Sequence, residues 1–153
     1  MESLPLVGGC MCGALRYEVN AAPVMIYNCH CKNCQKISGS AFNVSVIVAE
    51  AAFRFTGGEP ARVEWLSDKG ATRCGLFCGA CGTRIANGGA PSTGVYSLRG
   101  GTLDDTSWVL PVGDTYTRSA QPWVRFVEGG LRAETAPADY APFIAAYRAQ
   151  RRF

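Results

Sequence analysis

The sequence predicts a mainly β fold with a single helix at its C-terminus. Three observations predict it. Short segments rich in β-branched and aromatic side chains recur at close intervals. Glycine is abundant, 18 of 153 residues, and much of it falls between those segments as turn signals. Only at the C-terminus do apolar side chains fall convincingly at the 3.6-residue period of a helix.

Taken in order, Ala14–Val19 alternates and puts Leu15, Tyr17 and Val19 on one face. Phe42–Val48 is a β-branched strand. Phe53–Thr56, Arg62–Ser67 and Thr72–Phe77 follow as strands, with turns at Gly57-Gly58 and Asp68–Gly70. Asn87–Gly94 reads as a loop. Val95–Leu98 and Trp108–Val112 complete the predicted strands. In the C-terminal helix Tyr140, Phe143, Ile144 and Tyr147 share one face. Asp139 caps it and Pro142 sits in the first turn, where no intrahelical N–H is lost. The basic end, Arg148, Arg151 and Arg152, suits the helix dipole.

The length fits one domain spanning 1–153. A net charge of +3 without a Lys/Arg run gives no reason to expect nucleic acid as a partner. Apolar runs are too short for a membrane helix, and the N-terminal MESLPLVGG lacks the basic and apolar regions of a signal peptide. The expectation is a cytoplasmic protein. In a reducing compartment eight cysteines read as metal ligands rather than disulfides.

The cysteines cluster as Cys10-Met-Cys12-Gly13, Cys29-His-Cys31-Lys-Asn-Cys34 and Cys78-Gly-Ala-Cys81-Gly82. A C-x-x-C-G turn lets two thiolates converge on one zinc ion, with the glycine free to turn left-handed. On an extended strand Cys10 and Cys12, or Cys29 and Cys31, point to one face and chelate together. Spacing leaves two partitions open. Either Cys31/Cys34 pair with Cys78/Cys81, as in a zinc ribbon, or Cys10/Cys12 pair with Cys78/Cys81. The second partition leaves Cys29, Cys31 and Cys34 as a three-thiolate centre with a vacancy. His30, between two ligands, reads as a structural side chain turned away from the metal. Cys74, outside the motifs, reads as a buried thiol. No Walker loop, dinucleotide fingerprint or nucleophile elbow is present.

The run GGCMCGALRY at Gly8–Tyr17, then C-H-C-x-x-C-x-K-x-x-G-S at Cys29–Ser40, then F-C-x-x-C-G at Phe77–Gly82 resembles the glutathione-dependent formaldehyde-activating enzyme family. That family also includes centromere protein V-like proteins. The stretch Thr115–Val124 resembles its C-terminal segment. The resemblance implies zinc-stapled, bent β-sheets and two zinc ions per chain. It assigns Cys10, Cys12, Cys78 and Cys81 to a structural zinc, and Cys29, Cys31 and Cys34 to a catalytic one. It also implies a carbon–sulfur lyase that joins a small thiol such as glutathione to formaldehyde or a similar carbonyl compound.

Three thiolates leave a divalent ion with a net charge of −1. Such an ion is a modest Lewis acid suited to holding a fourth sulfur as thiolate. Lys36, inside the second motif, is the first candidate for substrate binding, followed by Lys32, Arg84 and Arg118. The competing class is a non-catalytic zinc-binding module for protein or ligand binding.

Overall fold

The structure, a computed structural model, describes residues 3–67 and 69–150. Met1 and Glu2, Asp68 of the predicted turn, and Arg151 and Arg152 of the basic tail lie outside the described residues. The chain runs β1 (Leu6–Gly9), β2 (Arg16–Val19), β3 (Met25–Cys29), α1 (Lys32–Ser38), β4 (Asn43–Ala49), β5 (Phe53–Gly57) and β6 (Ala61–Leu66). It continues through β7 (Thr72–Phe77), β8 (Arg84–Gly89), β9 (Val95–Arg99), β10 (Gly113–Thr115), β11 (Leu131–Ala133) and α2 (Ala141–Gln150). The mainly β expectation holds.

Two sheets form. One is three-stranded, in the order β1-β2-β5. The other is eight-stranded, in the order β11-β10-β3-β4-β9-β8-β7-β6, with β10 parallel to both its neighbours and the other pairs antiparallel. Register divides the large sheet into two unlike faces. Ile26, Val46, Leu98, Ala86 and Leu76 lie opposite one another in succession and form an apolar, buried face. The other face carries Tyr27, Ser45 and Arg99 across β3-β4-β9, and Ser97, Asn87 and Gly75 across β9-β8-β7. Leu15, Tyr17 and Val19 are buried together, as the alternation predicts. Gly8 of β1 is required by packing: a Cβ there would meet the Thr102 carbonyl oxygen at 2.4 Å.

The C-terminal helix forms as expected. Asp139 Oδ1 accepts from the Ala141 N–H at 2.8 Å, and Phe143 and Tyr147 are buried against the sheet. Three local expectations change. A second, short helix, α1, follows Cys31, whose sulfur accepts from the Cys34 N–H at 3.3 Å; Gly39 ends it in the left-handed region. Trp108–Val112 is turn and irregular chain rather than strand, with β10 starting one residue later. Pro111 has no N–H to give a ladder there. Asn87–Gly89 belongs to β8, because Asn87, Gly88 and Gly89 pair with Gly75, Cys74 and Arg73, so only the remainder of the predicted loop is irregular.

Candidate metal centres and the cavity beside them

The first and third cysteine motifs meet as a pair of tight loops. Cys10–Gly13 is a turn, not the extended strand its spacing suggested: the Gly13 N–H bonds the Cys10 carbonyl at 3.1 Å and Gly13 takes φ +80°. Cys78–Gly82 closes in the same way, with Gly82 N–H to Cys78 O at 2.8 Å and φ +74° at Gly82. Both glycines occupy a conformation that a Cβ disfavours. Sγ of Cys10 lies 3.5 Å from that of Cys12, which lies 3.8 Å from that of Cys78. All four sulfurs, with Cys81, fall within 4.8 Å of one another. Sulfurs about 2.3 Å from a tetrahedral zinc stand roughly 3.8 Å apart, so the donor set fits that ion. Two of the sulfurs, those of Cys10 and Cys81, are also readied for charge, whereas Cys12 is pushed up to about 11 in the metal-free chain. The Leu15 N–H donates to Cys10 Sγ at 3.1 Å and holds that thiol below its usual range. The Thr83 hydroxyl, 3.1 Å from Cys81 Sγ, and the Thr83 backbone bring Cys81 down to about 5. Thr83 also accepts from the Met11 N–H at 3.2 Å, tying one loop to the other.

Cys29, Cys31 and Cys34 form a second group within 4.8 Å. Three elements bring them together: the end of β3, the extended residue that caps α1, and the first turn of α1. Cys31 is the thiol set to ionise first. Hydrogen bonds from the Cys29 and Cys34 thiols, then the Cys34 and Asn33 backbone N–H groups, draw it down to about 3. In the metal-free chain the hydrogen bond with Cys31 pushes Cys29 up to about 11, and hydrogen bonds with Cys29 and then Cys31 push Cys34 higher still. Three sulfurs around one point suit a soft divalent ion and leave a coordination position to fill. The spatial grouping is that of the second partition, and the ribbon pairing of Cys31/Cys34 with Cys78/Cys81 does not occur.

The three-cysteine group opens onto a cavity of about 300 Å³ lined by all three residues. Its walls are aromatic, from Tyr27, Trp65, Tyr116 and Tyr140, and its polar lining comes from Ser45, Asn87 and Ser97. Lys69 and Arg73 supply cations. Tyr140, the residue before α2, builds the wall beside β3, with its ring 5.7 Å from that of Tyr27. Tyr116 stands at φ +57°, an uncommon conformation for a residue with a side chain, next to the cysteines.

His30 is wholly buried and takes no part in either sulfur group. Its Nε2–H donates to Asp114 Oδ1 at 2.8 Å, and its ring packs on Phe42 and Phe126. Asp114 also accepts from Asn28 Nδ2 and the Val127 N–H, so it binds the ligand-bearing chain to the C-terminal segment. Gln35 does the same from α1, donating to the His30 and Ser119 carbonyls at 2.7 and 2.8 Å. Cys74 is buried opposite Gly88 and outside both groups, and burial raises its pKa.

The predicted cations are distributed unevenly. Lys36 is exposed on α1 and lines an adjoining hollow with Arg84, Val63, Trp65 and Leu66. Lys32 is held by Ser119 O and Gln35, and Arg118 is exposed. Sequence reasoning missed Lys69, Arg73, Asn87 and above all Arg99. None lies in a motif; strand register brings Arg73, Asn87 and Arg99 to the cavity face, and the turn between β6 and β7 brings Lys69.

Fold and sites together define a mainly β protein built on two cysteine centres, one with a complete set of four thiols and one with three facing a cavity. The chain belongs to the glutathione-dependent formaldehyde-activating enzyme family, whose sequence model matches residues 5–119. A Rhodobacter sphaeroides protein of known crystal structure shares the fold at a TM-score of 0.52 and 18% identity, over 65% of this chain and 88% of that one. No curated protein sequence matches. Among the described residues no helix is long and apolar enough to cross a membrane.

Proposed function

We propose that this chain is a zinc-dependent carbon–sulfur lyase of the formaldehyde-activating type, adding a small thiol such as glutathione to formaldehyde or a similar carbonyl compound. One observation carries the reading. The three-cysteine group faces a cavity large enough for a small ligand, while Cys10, Cys12, Cys78 and Cys81 complete a set by themselves. On this reading Cys10, Cys12, Cys78 and Cys81 hold a structural zinc, and Cys29, Cys31 and Cys34 hold a catalytic one. Zinc at the second centre supplies the positive charge that keeps a bound thiol ionised near neutral pH.

The chain's own residues do the rest. Cys29, Cys31 and Cys34 fix the ion at the cavity wall. Lys69 and Arg73 draw in the carboxylates of an acidic thiol, and Lys36 reaches the same ligand through the adjoining hollow that shares Asn33, Ile37 and Trp65. Tyr27, Trp65 and Tyr140 exclude water from the sulfur. In the addition the C–S bond forms as the carbonyl π bond breaks, and the oxygen takes up the proton that the thiol gave up. Eight unpaired cysteines suit a reducing compartment, and we assign the protein to the cytoplasm.

The test is Cys31→Ser. The variant is expected to fold, to retain the metal of the four-cysteine centre, and to lose thiol–formaldehyde adduct exchange measured by NMR. Exchange at the wild-type rate would refute the assignment.

A further inference from the structure

Among the described residues, seven buried side-chain nitrogen and oxygen atoms have no hydrogen-bond partner. Five of them lie on the cavity side of the large sheet: Arg99 Nε, Nη1 and Nη2, Arg84 Nη1 and Asn87 Oδ1. Buried polar groups without partners are rare in folded proteins, and a bare guanidinium is among the costliest. Arg99 is the extreme case. It is only 6% exposed, no nitrogen of its guanidinium meets a nitrogen or oxygen acceptor, and the neighbour it has for hydrogen bonding is the Cys34 sulfur.

Its position suggests what satisfies it. Arg99 lies opposite Ser45, Ser45 lies opposite Tyr27, and Cys29 stands two residues beyond Tyr27 on the same face. Burial pushes the Arg99 pKa down, and the Cys34 sulfur beside its guanidinium, then Cys29, pulls it back up. No carboxylate among the described residues is paired with it.

Three thiolates around a divalent ion carry −1, and a thiolate in the fourth position makes that −2. A cation buried beside Cys34 offsets one of those charges. It favours an anionic fourth ligand over a neutral one, because an added negative charge is attracted to the guanidinium and a neutral donor is not.

We propose that Arg99 is the internal counter-cation of the three-cysteine centre and sets its preference for an anionic sulfur over a neutral fourth ligand. Arg99 is a positioning and specificity residue, acting through the sulfurs. The inference rests on the metal-binding reading of Cys29, Cys31 and Cys34 proposed above.

The experiment uses the full chain loaded with cobalt(II), whose sulfur charge-transfer bands report the ligands. Two probes are titrated: 2-mercaptoethanol, which binds as a thiolate, and imidazole, which binds neutral. The readout is the ratio of their affinities. Arg99→Gln should lower that ratio by about tenfold or more, the order expected when the partner of a buried charge is removed. Arg99→Lys, which keeps the charge, should hold it within about threefold of wild type. The four-cysteine centre should retain its cobalt in both variants and serves as the internal control. An unchanged ratio in Arg99→Gln would overturn the proposal. So would an equal fall in both variants, or loss of cobalt from the four-cysteine centre, which would make Arg99 a support of the fold. Should Arg99→Gln fail to fold, Arg99→Lys decides alone: a tenfold fall there overturns the role of charge, and a preserved ratio upholds it. A wild-type chain that takes a single cobalt would sink the metal reading itself, and Arg99's role with it. Two cobalts with an unchanged ratio would remove Arg99's role alone.

Discussion

Asp114 shows how far a single residue can act from a centre it does not touch. It is fully buried and accepts three hydrogen bonds, from Asn28, His30 and the Val127 backbone. Those donors come from the strand that delivers Cys29 and from the segment after β10. Asp114→Asn keeps the shape but turns an acceptor toward a donor, leaving at least one buried group unpaired. Each such group costs about 1–3 kcal/mol, so urea denaturation of the metal-loaded protein should show a loss of about 2 kcal/mol or more. A change under about 0.5 kcal/mol, the range of ordinary surface substitutions, would mean that the network is replaceable. The same residue marks what the sequence hides. The cysteines were legible because chelation by C-x-C and C-x-x-C is local: neighbours in sequence are neighbours in space. His30 was legible as a structural group. Asp114, Arg99 and Asn87 reach their places only through the pairing of strands distant in sequence, and no spacing rule encodes that.

Elements were legible where composition matched a simple period. β4 and β7 are β-branched or bounded by turn residues, and α2 carries its apolar face at helical spacing. β3 was missed because all five of its residues are buried and no alternation results; β8 was missed because its glycines and asparagine look like a loop. Helix α1 buries no residue and is capped by a cysteine, so neither periodicity nor a usual cap announces it. The seam between α2 and β3 carries its own prediction. Tyr27 and Tyr147 are buried with Phe143 in one core, and burial pushes Tyr147 up to about 12 and Tyr27 higher. Their folded pKa values exceed the unfolded value near 10, so the folded state binds protons that the unfolded state releases. The stability is therefore fully present below about pH 10 and is lost as pH rises beyond it, by up to about 1.4 kcal/mol per pH unit for each phenol. Denaturation midpoints across that range should fall, and less steeply in Tyr147→Phe. An identical slope in the variant would show that this seam does not titrate.

At the scale of the whole molecule the four-cysteine centre joins what the backbone leaves nearly separate. Cys10 and Cys12 follow β1 of the small sheet; Cys78 and Cys81 follow β7 of the large one. The bridge Gly8–Leu103 ties β1 to the segment between β9 and β10, which belongs to neither sheet. A metal ion at the four sulfurs would close a loop of some seventy residues and fix one sheet against the other, so its binding energy would become folding energy. The three-cysteine group has a different place. Its members lie within the run from β3 to α1 on one face of the large sheet, already held by Asp114 and Gln35, so an ion there adds little to the tertiary framework. The two centres should therefore separate under a chelator. The first metal released, from the three-cysteine centre, should leave far-UV circular dichroism unchanged and the melting temperature within a few degrees. The second should coincide with loss of cooperative unfolding. Cys10→Ser should bring that loss without chelator, whereas Cys34→Ser should not. If removing the first ion already unfolds the protein, or if the fully stripped chain melts as sharply as the loaded one, the division between a centre that holds the sheets and a centre that serves the cavity is wrong.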